Sequence, residues 1–283
     1  MSTPETANGL PDDADDLRGF YFRALLGKTV TRVLLGLTVI AAGVGGATFA
    51  GPVIGAAAAA GALLLGLIGV LVVADSHSED AFFQVYGQER GLTAYGRSQL
   101  PEATPLLRKG DDRYAERSLE GSLADGVDGL LALYTYEEES IDSKGNRQTN
   151  YYRYTVGLTE IRECAAFVPE LYCQRKFGLR ALEKFEDVFR GSKERVKLES
   201  EALDERYEIF AGPAQDSNRL RQLFSPTFIV WLTDSAPEKF AFELVDGTLC
   251  CYVSGHKKKA DELDTIRAAS AAIATRLREE AKE

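Results

Sequence analysis

"VLLGLTVIAAGVGGATFAGPVIGAAAAAGALLLGLIGVLVVA" runs from Val33 to Ala74 without one charged side chain, and its only hydroxyls are Thr38 and Thr48. One helix of that length would reach about 63 Å at 1.5 Å per residue, about twice the hydrocarbon thickness of a bilayer. Two spans of about 20 residues fit better. The Gly51-Pro52 pair marks the reversal: glycine relieves the backbone where one helix ends, and proline suits the first turn of the next. The spacing therefore predicts a transmembrane helical hairpin over 33–74, with spans at about 33–50 and 53–74. A soluble core hairpin is the competing reading, but a soluble helix normally carries a polar face and this run has none.

Working outward, the flanks set the expected orientation. Arg18, Arg23, Lys28 and Arg32 precede the first span, and the turn between the spans has no Lys or Arg. The positive-inside rule then puts the N-terminus in the cytoplasm, and two spans return the chain to the same side. The expectation is a multi-pass protein of the inner (plasma) membrane, both termini cytoplasmic, touching the lipid bilayer through 33–74. A cleaved signal peptide is disfavoured, because the apolar run is too long and follows the acidic "PDDADDL".

Residues 1–32 read as a disordered acidic leader and an interfacial segment, where Phe20, Tyr21 and Phe22 sit among basic residues. Asp12, Asp13, Asp15 and Asp16 lack the spacing and the later Glu of a calcium loop and read as a solvated tail. Gly43 with Ala47, Gly51 with Gly55, and Ala57 with Gly61 are small residues four apart. They either let the helices approach closely or reflect the general abundance of Ala and Gly in membrane helices.

Residues 75–283 read as a cytoplasmic α+β domain with antiparallel hairpins. "EDAFFQVYGQERGLTAYGRSQLP" opens as a helix that stops at Pro101, and "TPLLRKGDDR" is turn-rich around Gly110, Asp111 and Asp112. It lacks a P-loop's second glycine and Lys-Ser/Thr. "LLALYTYEEES" and "NYYRYTVGL" alternate as a hairpin that pairs Tyr134 and Tyr136 with Tyr152 and Tyr154. A ligand-binding tyrosine face is the alternative to a packed one. "RVKLESEALDERYEIFAG" reads as two strands, and "QDSNRLRQLFSPTFIVWL" as helical, with caps at Asp216 or Ser217 and at Ser225 before Pro226. "KFAFELVDGTLCCYVSG" is a hairpin on Asp246-Gly247. Leu263, Ile266, Ser270, Ile273 and Leu277 give an amphipathic final helix.

The stretch Val196 to Leu232 carries a resemblance. Leu198-Glu199, Tyr207 to Phe210, Gln215-Asp216 and Phe224-Ser225-Pro226-Thr227-Phe228 before Leu232 resemble an uncharacterised bacterial family of two-span membrane proteins with a cytoplasmic domain of unknown function. "LEGSLADGVDGLLALYTYEEES" and the apolar hairpin look like the same family. Ser225 stands where that pattern has threonine. The resemblance implies no catalytic residues.

Composition narrows the chemistry. A net charge of -10 over 283 residues lacks the basic footprint of a nucleic-acid partner. Cys164, Cys173, Cys250 and Cys251 have no C-x-x-C spacing, and His77 and His256 do not complete a metal set. No catalytic, cofactor-binding or metal residue is assigned, and no cofactor is expected. Three functional readings follow. The preferred one is a membrane-tethered, non-catalytic binding or scaffolding domain with an unknown protein partner. The alternative is a membrane-bound enzyme using Cys250, Cys251 or His256. A third is headgroup contact through Lys257, Lys258 and Lys259. Transport has least support, since the spans hold no ionisable residue.

Overall fold

The computed structural model describes residues 13–141, 145–176, 193–213 and 215–282. The chain divides into two compact units, Met1–Tyr86 and Gly87–Glu283.

The first unit is helical: α1 (Ala14–Gly27), α2 (Thr29–Ala50) and most of α3 (Pro52–Glu89). The reversal falls where the sequence puts it. Gly51 takes a left-handed φ of 94° and donates its N–H to the Ala47 carbonyl, and Pro52 begins α3. The helices outrun the expected spans at both outer ends, because Thr29 to Arg32 and Asp75 onward continue helical geometry that charge alone does not break. At 38 residues, α3 is about 57 Å long, more than a bilayer core requires. In each of α2 and α3, no residue of the most apolar stretch is buried.

Of the paired small residues, some meet and some do not. A Cβ on Gly55 would lie 2.6 Å from the Gly43 carbonyl oxygen and 2.7 Å from the Ala47 nitrogen, so α2 and α3 touch backbone to backbone there. Gly61 faces open space and takes no part.

The leader is corrected in part. From Ala14 the acidic segment is helix α1, whose N-cap Asp13 accepts from the Asp15 N–H at 2.9 Å. Arg18 Nε donates to Asp75 at 2.7 Å, Tyr21 stacks on His77, and Ser78 Oγ donates to the Ala14 carbonyl, so α1 packs along α3. Asp12 lies outside the described residues.

The second unit is an α+β domain built on one antiparallel sheet. Its strands are β1 (Leu92–Tyr95), β2 (Asp112–Ala124), β3 (Val127–Ile141), β4 (Arg147–Glu160), β5 (Glu170–Arg175), β6 (Glu194–Val196), β7 (Tyr207–Ala211), β8 (Ala241–Val245) and β9 (Thr248–Ser254). Among the described residues their order is β1-β2-β3-β4-β9-β8-β5-β7-β6. Tyr134 lies opposite Tyr154 and Tyr136 opposite Tyr152, as the alternation predicts. Asp246 and Gly247 both have positive φ, 48° and 82°, the geometry of a two-residue primed turn.

Three features depart from the sequence reading. The helix expected to reach Pro101 ends at Glu89, and β1 follows. Strand β2 was not anticipated, because irregularities at Ala115/Arg117 and Ser122/Ala124 break its period-two pattern. Between the two short strands of the 195–212 stretch lies α4 (Glu201–Arg206), capped by the Ser200 hydroxyl, which accepts from the Leu203 N–H. Next come α5 (Ser217–Leu223), capped by Asp216, and α6 (Pro226–Val230). Ser225 sits at the N-cap of α6 without a side-chain capping bond.

The last helix, α7 (Ala260–Glu280), lies on one sheet face and buries Leu263, Ile266, Ser270, Ile273 and Leu277. Asp261 and Glu262 in its first turn and Arg278 in its last complement the helix dipole. Its close seat depends on Gly157 of β4, where any Cβ would collide with Ser270 Oγ. Gly157→Ala should cost about 1–3 kcal/mol by overpacking. Adding Ser270→Gly should recover most of the loss in chemical denaturation, whereas additive losses would show that the two do not share the contact.

Candidate functional site

The cysteines and the His256 ring, the candidates for chemistry in the second unit, are shut away from solvent. Neighbours on a strand face opposite ways, so Cys250 points to the sheet face bearing Tyr134 and Tyr252, and Cys251 to the face under α7. All four thiols are free and buried. Burial pushes the Cys164 thiol up to about 11 and Cys251 to about 12, and raises Cys173 and Cys250 as well. Such thiols stay protonated at neutral pH and make poor nucleophiles. His256 is locked beyond the end of β9. Its Nε2 lies 3.2 Å from both the Tyr134 carbonyl and Thr135 Oγ1, and Nδ1 lies 3.8 Å from Glu116. Burial lowers its pKa, against the pull of Glu116. Lys257 is taken up by Glu262 at 2.9 Å. His77 stacks on Tyr21 in the helical unit. Among the described residues, no group of three His, Cys, Asp or Glu is placed to hold a metal ion.

A titratable group that the sequence reading passed over is Glu243 of β8, fully buried on the tyrosine face. Its Oε2 accepts the Leu106 N–H at 3.0 Å, and Tyr252 OH lies 3.5 Å from Oε1. Tyr134 OH donates to the Leu106 carbonyl at 3.2 Å. Both polar backbone groups of Leu106 are thus met by side chains from the sheet. That stitches the irregular, turn-rich segment around Leu106 and Leu107 over the tyrosines. Burial raises the Glu243 pKa, with Lys109 and Lys193 acting in the opposite direction. Tyr134, Tyr136, Tyr154, Tyr252 and this carboxyl are all buried. The signal was present: "FAFELV" holds one acid in an apolar strand.

A groove of about 1020 Å³ runs along the exposed side of α7. Its floor is the small face Ala268, Ala272 and Thr275, one helical stripe. One wall is Phe228 and Trp231, whose rings stack at 5.9 Å, and the other is the β2–β3 turn from Leu123 to Asp125. The rim is charged and fixed: Arg90 donates to Asp264 at 2.7 Å, and Arg276 to the Gln222 carbonyl at 2.8 Å and to Glu280. A groove with an apolar floor and aromatic wall inside a polar rim has the character of a surface that takes an amphipathic helix. Leu232 is fully buried, whereas its neighbour Trp231 lines the groove.

The described residues thus define an antiparallel α+β domain that follows two helices long and apolar enough to cross a membrane. No family model matches the chain, and no curated protein matches its sequence. Among solved structures, the crystal structure of the mycobacterial trehalose monomycolate transport factor A, TtfA, is similar over 70% of this chain and 90% of its own. The identity is 8% and the TM-score 0.43, too distant a likeness to carry function.

Proposed function

We propose that this chain is an integral membrane protein whose α2–α3 hairpin spans the inner membrane with both termini in the cytoplasm. On this reading the second unit is a non-catalytic domain that binds a helical segment of a protein partner in the α7 groove. Membership of the two-span family resembled by the 196–232 pattern belongs to the same proposal. The observation that carries it is that no residue in the most apolar stretch of α2 or of α3 is buried. A core helix of a soluble protein would hide such surface, and apolar patches this large otherwise drive aggregation. The basic residues before α2, against none in the turn, support the orientation.

The test has two arms. The chain should stay with membranes through an alkaline wash, and a reporter fused to its last residue should be active only in the cytoplasm; release by the wash overturns the anchor. In pull-downs from solubilised membranes, Ala272→Arg should reduce partner recovery about tenfold or more by filling the groove floor. Binding should also shift the emission of Trp231, the chain's one tryptophan. Unchanged recovery with Ala272→Arg would move the partner elsewhere.

A further inference from the structure

A second groove, of about 430 Å³, opens inside the helical unit between α2 and α3, near the kink that joins α1 to α2. Its origin is missing side chains. The helices touch at Gly55 and Gly43, but towards the kink Gly69 of α3 has no atom within 4 Å of the place a Cβ would take. The lining is apolar: Leu34 of α2, Val73 of α3 and Leu25 of α1, which closes one end. Thr31 and Thr38 also line it, and the Thr38 hydroxyl is spent on the Leu34 and Leu35 carbonyls at 3.0 and 2.9 Å.

The chain beside that end of the groove is basic: Lys28, exposed at the kink, lies in sequence between the lining residues Leu25 and Thr31, and Arg32 Nε donates to the Leu26 carbonyl at 2.7 Å. No Asp or Glu occurs between Leu17 and Ala74. Of the flanking acids, Asp15 and Asp75 are paired with Arg18.

We propose that this groove is a lipid site: one acyl chain of an anionic phospholipid lies between α2 and α3, with its phosphate against Lys28 and Arg32. The inference rests on the reading of α2 and α3 as membrane spans, since only in a bilayer is such a chain at hand. Charge complementarity selects the lipid. An apolar slot alone would take any chain, whereas two cations at its mouth select a negative headgroup. A second copy of the helical hairpin would need an apolar mouth instead.

The full-length chain would be reconstituted in nanodiscs of equimolar phosphatidylglycerol and phosphatidylcholine, and the lipids retained on gentle release counted by native mass spectrometry. The expected result is one phosphatidylglycerol per chain, retained with a roughly thirtyfold preference, the scale of two basic groups at about 1 kcal/mol each. Lys28→Gln with Arg32→Gln should bring the two lipids to parity. Gly69→Leu, which enters open space, should abolish retention of both while helix content holds. Equal retention by the wild-type chain, or full retention by Gly69→Leu, overturns the site. A change of oligomeric mass with Gly69→Leu and no loss of lipid assigns the groove to a second copy and also overturns it. Failure of the chain to enter nanodiscs overturns the spanning reading instead, so the two failures are distinct.

Discussion

Gly55→Leu is expected to force the two apolar helices apart, at a cost of about 3 kcal/mol, the upper end of overpacking effects. The reason is the neighbour it meets. Any Cβ at Gly55 runs into the Gly43 carbonyl oxygen and the Ala47 backbone and side chain, and backbone cannot turn aside as a flexible side chain can. The control lies one and a half turns further along the same helix. Gly61→Leu has nothing within 4 Å and should stay within about 0.5 kcal/mol of wild type. Unfolding of the purified chain in mixed micelles, followed by helix content, separates the two. Equal behaviour of both variants would mean that α2 and α3 do not pack through Gly55.

Glu243→Ala should cost about 2–4 kcal/mol, because it leaves the Leu106 N–H without its acceptor and opens a cavity beneath the covering segment. Glu243→Gln tells more, since it keeps an oxygen for that N–H but cannot ionise. Burial raises the folded-state pKa of Glu243 above its ordinary 4.5. The folded state therefore holds a proton that the unfolded chain releases as pH rises from 4.5 to the folded pKa. Stability from this group is fully present below pH 4.5 and is lost as pH rises through the folded value. His256 works in the other sense: its lowered pKa makes the unfolded state the better proton binder, so its contribution is lost as pH falls below 6.5. Subtracting the Glu243→Gln profile from that of wild type isolates the carboxyl. Relative to wild type, Glu243→Gln should gain stability as pH rises above 4.5. A difference that is flat with pH would show that Glu243 ionises as readily folded as unfolded.

Much of the architecture was legible where local chemistry acts alone. The Gly51-Pro52 reversal, the Asp246-Gly247 turn, the Tyr134–Tyr154 pairing and the buried stripe from Leu263 to Leu277 each follow from a backbone preference or a short periodicity. Strand β2 was illegible because its irregular register erases alternation, and α4 because six residues are too few to show a period. The candidate sites were less legible still. Trp231 and Ala272 are 41 positions apart in sequence, and nothing local to either says that they border one groove.

What the chain determined by itself is that an uncharged, reversing pair of helices precedes a domain of antiparallel hairpins, because charge, glycine, proline and side-chain period act within a few residues of where they are written. Only the tertiary structure decided which small residues touch, that the thiols are shut away, that Glu243 holds down a loop, and where the two grooves open. Those depend on surfaces brought together from distant parts of the chain, and burial, close approach and pKa are properties of the assembled surroundings, not of a residue.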